Sequence, residues 1–454
     1  MSRISYMFSI TNSKSQIAPL TKLICIACVF LIACSISMAQ LPQPALVGYW
    51  HNWDDGNAPY LNLTAIDSRY NVIDVSFAVP QTGTDYKMEF VPDQVSQAVF
   101  ISQMQTLQSQ GKKILISIGG ATAPVSLDNI TERDTFIATM NSIINTYGFD
   151  GIDIDLEGSS LSVSGGTITA PADAKIIHLI EAIQQIKSDY FASHNKPLLL
   201  TMAPETAFVQ GGMSAYGGIW GAYLPVIEAL KDSIDLLHVQ LYNSGSMYGI
   251  DGGIYTQGTA DFIVAMTEAV IQGFTTSGGN FSGLPANKVA IGLPACVNAA
   301  GGGFTDTATV SAAIKYLMGT GPQPGSYQLV QNGGYPSLGG MMTWSINWDA
   351  VNTCGPAYGY ASNYESIFGT TTGIEYVADA EYFKVFPNPA NEILQILTAN
   401  KLALPQQMQL FDATGRLIKT IECSEQHSFF SLQNLEPGMY FLRAGQFMQK
   451  FIRK

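Results

Sequence analysis

The sequence predicts an α/β protein: a (β/α)8 TIM barrel followed by a small C-terminal all-β sandwich. Three observations carry that prediction. Eight short apolar segments alternate with helix-period stretches between Ala45 and Ile367, a count that fits a closed barrel better than a doubly wound sheet. The fourth segment, within Phe149 to Gly158, carries an acid at every second position. After Ile367 the stretch Gly369-Thr370-Thr371-Thr372-Gly373 reads as a linker, and strands with turn signals follow. A chain of 454 residues, 47% hydrophobic and 13% charged, has room for a large barrel and an appendage.

In chain order, the first forty residues contain Arg3, Lys14 and Lys22 and no acid. Leu23 to Cys34 is an apolar run too short to cross a bilayer comfortably. Ser37-Met38-Ala39 then supplies the small residues a signal peptidase needs. Residues 1–39 are therefore expected to be a secretory signal, with a secreted or cell-surface product. A lipid anchor on Cys34, within Leu31-Ile32-Ala33-Cys34, is the alternative.

The expected barrel strands are Ala45–Trp50, Val72–Ala78, Lys113–Gly119, Gly151–Leu156, Pro197–Ala203, Leu236–Tyr242, Lys288–Leu293 and Gly340–Ser345. Helix-period segments lie between them. One places Phe136, Ile137, Met140, Ile143, Ile144 and Tyr147 on a common stripe; another places Ile176, Leu179, Ile183 and Ile186, with Pro171 expected in its first turn.

Along the fourth strand side chains alternate faces, so Asp153, Asp155 and Glu157 share one face, about 6.6 Å apart. Ile152, Ile154 and Leu156 point the other way. Half-solvated strands of antiparallel sheets show the same alternation. Here, however, the segment lies between helical stretches, as a parallel strand buried on both faces would. Three acids on one buried face repel and resist desolvation. Such a row points to a site. Barrel chemistry sits at C-terminal strand ends, and this sequence gathers polar or aromatic residues there: Tyr49 and Trp50, Ser117 with Gly119 and Gly120, Glu157, Met202 with Glu205, Gln240 with Tyr242 and Asn243, and Trp344.

A formal net charge of −13 argues against nucleic-acid partners and fits a neutral or cationic substrate. Of the six cysteines, Cys25, Cys28 and Cys34 fall in the signal. Cys296, Cys354 and Cys423 remain, without zinc-site spacing. Cys296 and Cys354 follow neighbouring strands; pairing and free thiols are both open. The five histidines show no metal-ligand spacing, and no phosphate-loop or dinucleotide fingerprint occurs. No cofactor and no metal is expected.

Asp150 to Glu157 has the DxxDxDxE pattern of glycoside hydrolase family 18, which the chain resembles over residues 45–367. Lys113 to Gly120 (KILISIGG), Met202-Ala203-Pro204-Glu205, Gln240-Leu241-Tyr242-Asn243, Gly340 to Asp349 (GMMTWSINWD) and Gly48 to Trp53 (GYWHNW) are similar to further motifs of that family, in the expected order. The resemblance implies a retaining reaction in which the substrate's N-acetyl group is the nucleophile. Glu157 is then the general acid and later the base, Asp155 holds the acetamido N–H, and Tyr242 binds the acetamido carbonyl. Asp153 is expected to share a proton with Asp155, and their coupling to keep Glu157 protonated near neutral pH. Trp344 would floor the sugar site. Met202, Gln240, Asn243, Tyr49, Trp50, Phe77, Gly119 and Gly120 would line it. Asp150, on the other parity, is expected to be structural. Such sites often contain non-proline cis peptides, for which Ser76–Phe77 and Trp344–Ser345 are candidates.

Only about 43 residues separate Cys296 from Gly339, room for a loop and helix but not for the α+β insertion that walls the groove in some members. An open cleft and endo action follow. The implied substrate is chitin or chito-oligosaccharides, with a monomer expected. The alternatives are an endo-β-N-acetylglucosaminidase acting on N-glycan cores and a non-catalytic chitin-binding lectin. The tail, with Phe383 to Ala390 (FKVFPNPA), Leu410 to Arg416 (LFDATGR) and Lys450 to Lys454, resembles a type IX secretion sorting domain, which implies the outer-membrane secretion machinery as partner. A small carbohydrate-binding sandwich is the other reading, weakened because no tryptophan follows Trp348. The expected organisation is a signal over 1–39, a catalytic domain over 40–367, a linker over 368–382 and a sorting domain over 383–454.

Overall fold

The structure, a computed structural model, describes residues 40–369, 383–398, 406–412, 416–444 and 447–454. The expected signal, with Cys34, and linker residues 370–382 lie outside the described residues. The chain divides into two compact units, Met1–Thr371 and Thr372–Lys454.

In the first unit eight strands form one parallel ring. They are β1 (Ala45–His51), β2 (Val72–Pro80), β3 (Lys113–Gly119), β4 (Gly151–Asp155), β5 (Leu199–Met202), β6 (Leu236–Leu237), β7 (Ala290–Pro294) and β8 (Gly340–Trp344). Their order is β7-β8-β1-β2-β3-β4-β5-β6. Parallel bridges Leu237 to Val289 and Gln240 to Gly292 close the ring. The β6 ladder is shorter than expected because residues beyond Leu237 pair only through isolated bridges, at Gln240 with Glu205 and Gly292.

The crossover helices are α1 (Gln97–Ser109), α2 (Ile130–Tyr147), α3 (Ala174–His194), α4 (Leu224–Leu230), α5 (Ala260–Gln272) and α6 (Thr307–Leu317), with α7 (Ile346–Ala350) and α8 (Gly359–Phe368) after β8. The β1–β2 crossover has only a 3-10 turn, Leu63–Ala65. Helix α2 shows the local logic. Asn129 caps the Glu132 amide, the Glu132 carboxylate accepts from Asp128 N, and Gly148 closes the helix at φ 79°. Its buried stripe is Phe136, Met140, Ile143, Ile144 and Tyr147. Pro171 is not in the first turn of α3. The helix begins at Ala174, and Pro171 bridges back to Gly166 in the preceding loop.

Register sorts the side chains into two layers. Ser117, Asp153 and Thr201 are paired neighbours facing the barrel interior, whereas Ile116, Ile152 and Leu200 face the helices. The interior is apolar lower down, with Val47, Leu115, Leu199 and Met342. At the lower end Asp150 accepts from Ile114 N at 3.1 Å and Gln108 Nε2 at 3.0 Å, a structural tie. Cys296 and Cys354 form a disulfide, with Cα atoms 5.3 Å apart.

Among its described residues the second unit has seven strands: β9 (Phe383–Phe386), β10 (Ile393–Thr398), β11 (Gln406–Asp412), β12 (Leu417–Cys423), β13 (His427–Ser431), β14 (Gly438–Ala444) and β15 (Phe447–Arg453). They form two antiparallel sheets, β9-β10-β13 and β12-β11-β14-β15. Leu394, Ile396, Leu410, Leu442 and Phe451 belong to one fully buried core. This is the expected all-β appendage.

Candidate active site

The acid row enters the barrel mouth from below. Asp153 is fully buried; its Oδ2 accepts from Tyr49 OH at 2.6 Å and Ser117 Oγ at 2.7 Å, and its Oδ1 from Thr201 Oγ1 at 2.7 Å. Asp155, at the end of β4, and Glu157, two residues past it, open onto a cavity of about 700 Å³. Gln240 joins them. Its Nε2 donates to Asp155 Oδ1 at 2.8 Å, Glu157 Oε1 at 3.0 Å and Ala203 O at 3.0 Å. Tyr223 pins the intervening residue, accepting from Leu156 N at 2.8 Å and donating to Leu156 O at 3.1 Å.

Aromatic rings wall the other side. Phe77 stacks with Trp344, centroids 5.8 Å apart and planes 13° apart. Buried His51 lies between Trp344 at 4.8 Å and Trp53 at 4.7 Å, parallel to the latter within 4°. Burial pushes the His51 imidazole down to about 4, against a smaller upward pull from Asp55, so near neutrality it is an uncharged spacer. The Ser76–Phe77 and Trp344–Ser345 peptides are both cis. Two glycines give the wall its room. A Cβ on Gly120 would lie 2.9 Å from the Phe77 ring, and one on Gly119 would lie 2.6 Å from Asp155 O. Both residues have φ above +80°, where side chains are disfavoured.

Desolvation governs the electrostatics. Burial first, then the charges of Glu157 and Asp153, push the Asp155 carboxyl well above the usual range; the Gln240 amide opposes this. Burial raises Glu157 as well, against its hydrogen bonds from Gln240 and Asp155. The bond between the two raises Asp155 and lowers Glu157, which favours a proton on Asp155. Asp153 has both oxygens engaged by hydroxyls, so the hydrogen-bonded partner of Asp155 here is Glu157, not Asp153 as the sequence led one to expect. Tyr242, buried beside Asp155 and Glu157, is held well above its ordinary value by burial and then by those charges. A cleft with two raised, hydrogen-bonded carboxyls beside a phenol and an aromatic wall can donate a proton to a bound ligand and stack on an apolar ring face.

Glu157, Asp155, Tyr242, Gln240, Asn243, Phe77, Gly119 and Trp344 line the cavity together. Asn243 does so with φ 53°, its Oδ1 accepting from Gly302 N. Gly120 stands behind Phe77. With Gly120, four expected lining residues do not line it. Trp50 is fully buried against Tyr60 and Phe100 and donates to Leu61 O, because Tyr49 takes the inward parity of β1. Met202, paired with outward Ile154, packs in the layer under the helices. Tyr49 points inward but spends its hydroxyl on Asp153. The sequence reading passed over Trp53 and Asn52, which line the cavity, although both stand in the GYWHNW stretch. It also missed Tyr223, and Asp74 and His238 beneath the acids, where no motif marks them.

Residues 45–326 match the family described as Glycosyl hydrolases family 18, and residues 384–454 the Secretion system C-terminal sorting domain. Chitinase Chi52 of Paenibacillus xylanexedens is 49% identical over 310 residues, 67% of this chain and 58% of that protein. Chitinase ChiA of Flavobacterium johnsoniae is 35% identical over 381 residues, 80% of this chain and 24% of its own length. The chain thus spans about half the length of such relatives, or less. Among solved structures, a family GH18 chitinase from Chromobacterium violaceum superposes with a TM-score of 0.64 at 35% identity, covering 72% of this chain and 85% of that one.

Proposed function

Because the chain belongs to glycosyl hydrolases family 18, we propose that it is a secreted chitinase that hydrolyses β-1,4 linkages between N-acetylglucosamine units. The observation that carries this reading is Gln240 holding Asp155 and Glu157 side by side at the foot of an aromatic wall. In the proposed cycle the sugar stacks on Trp344 and its acetamido N–H donates to Asp155. That donor favours ionised Asp155, so the shared proton moves to Glu157. Glu157 gives it to the glycosidic oxygen as the C1–O bond breaks. The acetamido carbonyl oxygen, held by Tyr242, bonds to C1 from the opposite face. Glu157, now ionised, takes a proton from water, which attacks C1 and restores the acetamide with retained configuration. General acid catalysis of this kind is worth about 10²–10⁴ in rate.

Only α6 and its loops lie between β7 and β8, and the cavity has no added domain on that side. This supports an open cleft that admits a chain mid-way, hence endo action. The sorting-domain match supports export through the type IX machinery to the surface or medium, with residues 383–454 as the recognised part and 40–367 as the catalytic part. The test is product analysis on a chito-oligosaccharide and a high-mannose glycopeptide. Mid-chain cuts of the former, β-anomers first, and an intact glycopeptide are expected. Disaccharides released only from ends would refute endo action; glycopeptide cleavage would favour the N-glycan reading.

A further inference from the structure

Beneath the cleft lies a polar layer that the proposed reaction does not use. Asp74 on β2 and His238, one residue past the β6 ladder, are both fully buried. His238 Nε2 stands 3.6 Å from Asp74 Oδ2 and 3.5 Å from Asp153 Oδ1. Neither ring nitrogen and neither Asp74 oxygen makes a hydrogen bond. Asp153 is the opposite case, with three hydroxyls donating to its two oxygens. An acceptor role on every contact suits an ionised carboxylate.

Asp74 has no such donors. The titratable groups facing the pair are Tyr49 from β1 and Asp153 from β4, with Asp155 next along that strand. No lysine or arginine among the described residues ion-pairs with any of them. Two ionised carboxylates in one dry layer would repel while both are stripped of water, so one is expected to be neutral. Burial, then the Asp153 charge, pushes Asp74 well above the carboxylate range, and burial lowers His238.

We propose that Asp74, as a neutral acid, and His238, as a neutral imidazole, are positioning residues that keep one buried proton under Asp153. Asp153 is then the only negative charge in its layer, and His238 Nε2–H faces its Oδ1. That arrangement fixes the charge Asp155 meets from below. Removing the imidazole leaves Asp153 less stabilised and its charge felt more strongly, which makes Asp155 harder to ionise.

This inference rests on the hydrolytic reading for its kinetic arm alone. Infrared spectra at neutral pH are expected to show a protonated-carboxyl component in wild type that Asp74→Asn lacks; superposable spectra overturn the proposal. Nitrogen NMR of histidine side chains, with His238 assigned through His238→Leu, is expected to show a neutral ring bearing its proton on Nε2. An imidazolium at neutral pH overturns it, as does one equivalent of zinc found by elemental analysis of the purified protein. In kinetics, His238→Leu is expected to lower kcat about tenfold with KM within about twofold, and to move the acid limb of the kcat profile up by about half a pH unit. A lower kcat that follows only a lower Tm, with the limb unmoved, overturns the positioning role. Inert wild type fails the hydrolytic reading, while the spectroscopic arms still decide the proton's place.

Discussion

Gln240 donates to both acids of the proposed reaction, and a donor to a carboxylate stabilises its ionised form. Both acids are raised by burial, and Gln240 lowers both. Replacing it with leucine removes that lowering, so Asp155 and Glu157 ionise at higher pH. Gln240→Leu is therefore expected to shift the acid limb of the kcat/KM profile upward, with a loss of about tenfold or more at the wild-type optimum; a pH-rate series checks this. At this scale the sequence was legible where a motif marked residues that meet in the cleft, as at Glu157 and Gln240. It was not legible at Trp50 and Met202. A strand's parity decides which neighbour faces in, and size or aromaticity does not reveal it. Tyr49 and Thr201 took the inward positions. Asp74 and His238 were hidden for another reason: they meet from parts of the ring that do not pair and lie far apart in sequence.

Elements were read more surely than residues. Each barrel strand falls within about two residues of its expected bounds except β6, whose outer half pairs only through bridges. Continuous apolar runs mark doubly buried strands; caps and loop entries leave weaker traces, which is why Pro171 and the helix-poor first crossover were misjudged. Pairing of Cys296 with Cys354 was open because two thiols on neighbouring loops do not reveal their distance. The disulfide ties the β7 and β8 loops across a separation of 58 residues. Trp348 and Ala58 pack in the same buried cluster. Cys354→Ser is expected to destabilise the barrel by about 2–4 kcal/mol, read from the denaturant midpoint. An unchanged midpoint would mean the bridge constrains nothing.

At the scale of the whole molecule, two units carry different tasks in the proposed account. The tail holds eight basic and five acidic residues within 383–454, while the chain as a whole is at −13. Its core is its own. A chain ended after Gly369 is expected to hydrolyse chito-oligosaccharides with kcat within about twofold of the full chain, while a type IX-competent cell retains it inside; secretion and activity assays separate the two. The central claim is that Glu157 passes a proton to the glycosidic oxygen. Its most direct test is single-turnover hydrolysis of a chito-oligosaccharide by Glu157→Gln, with binding measured alongside. The account predicts a rate at least about 10²-fold below wild type with affinity kept. A variant that binds and cleaves at the wild-type rate would contradict it.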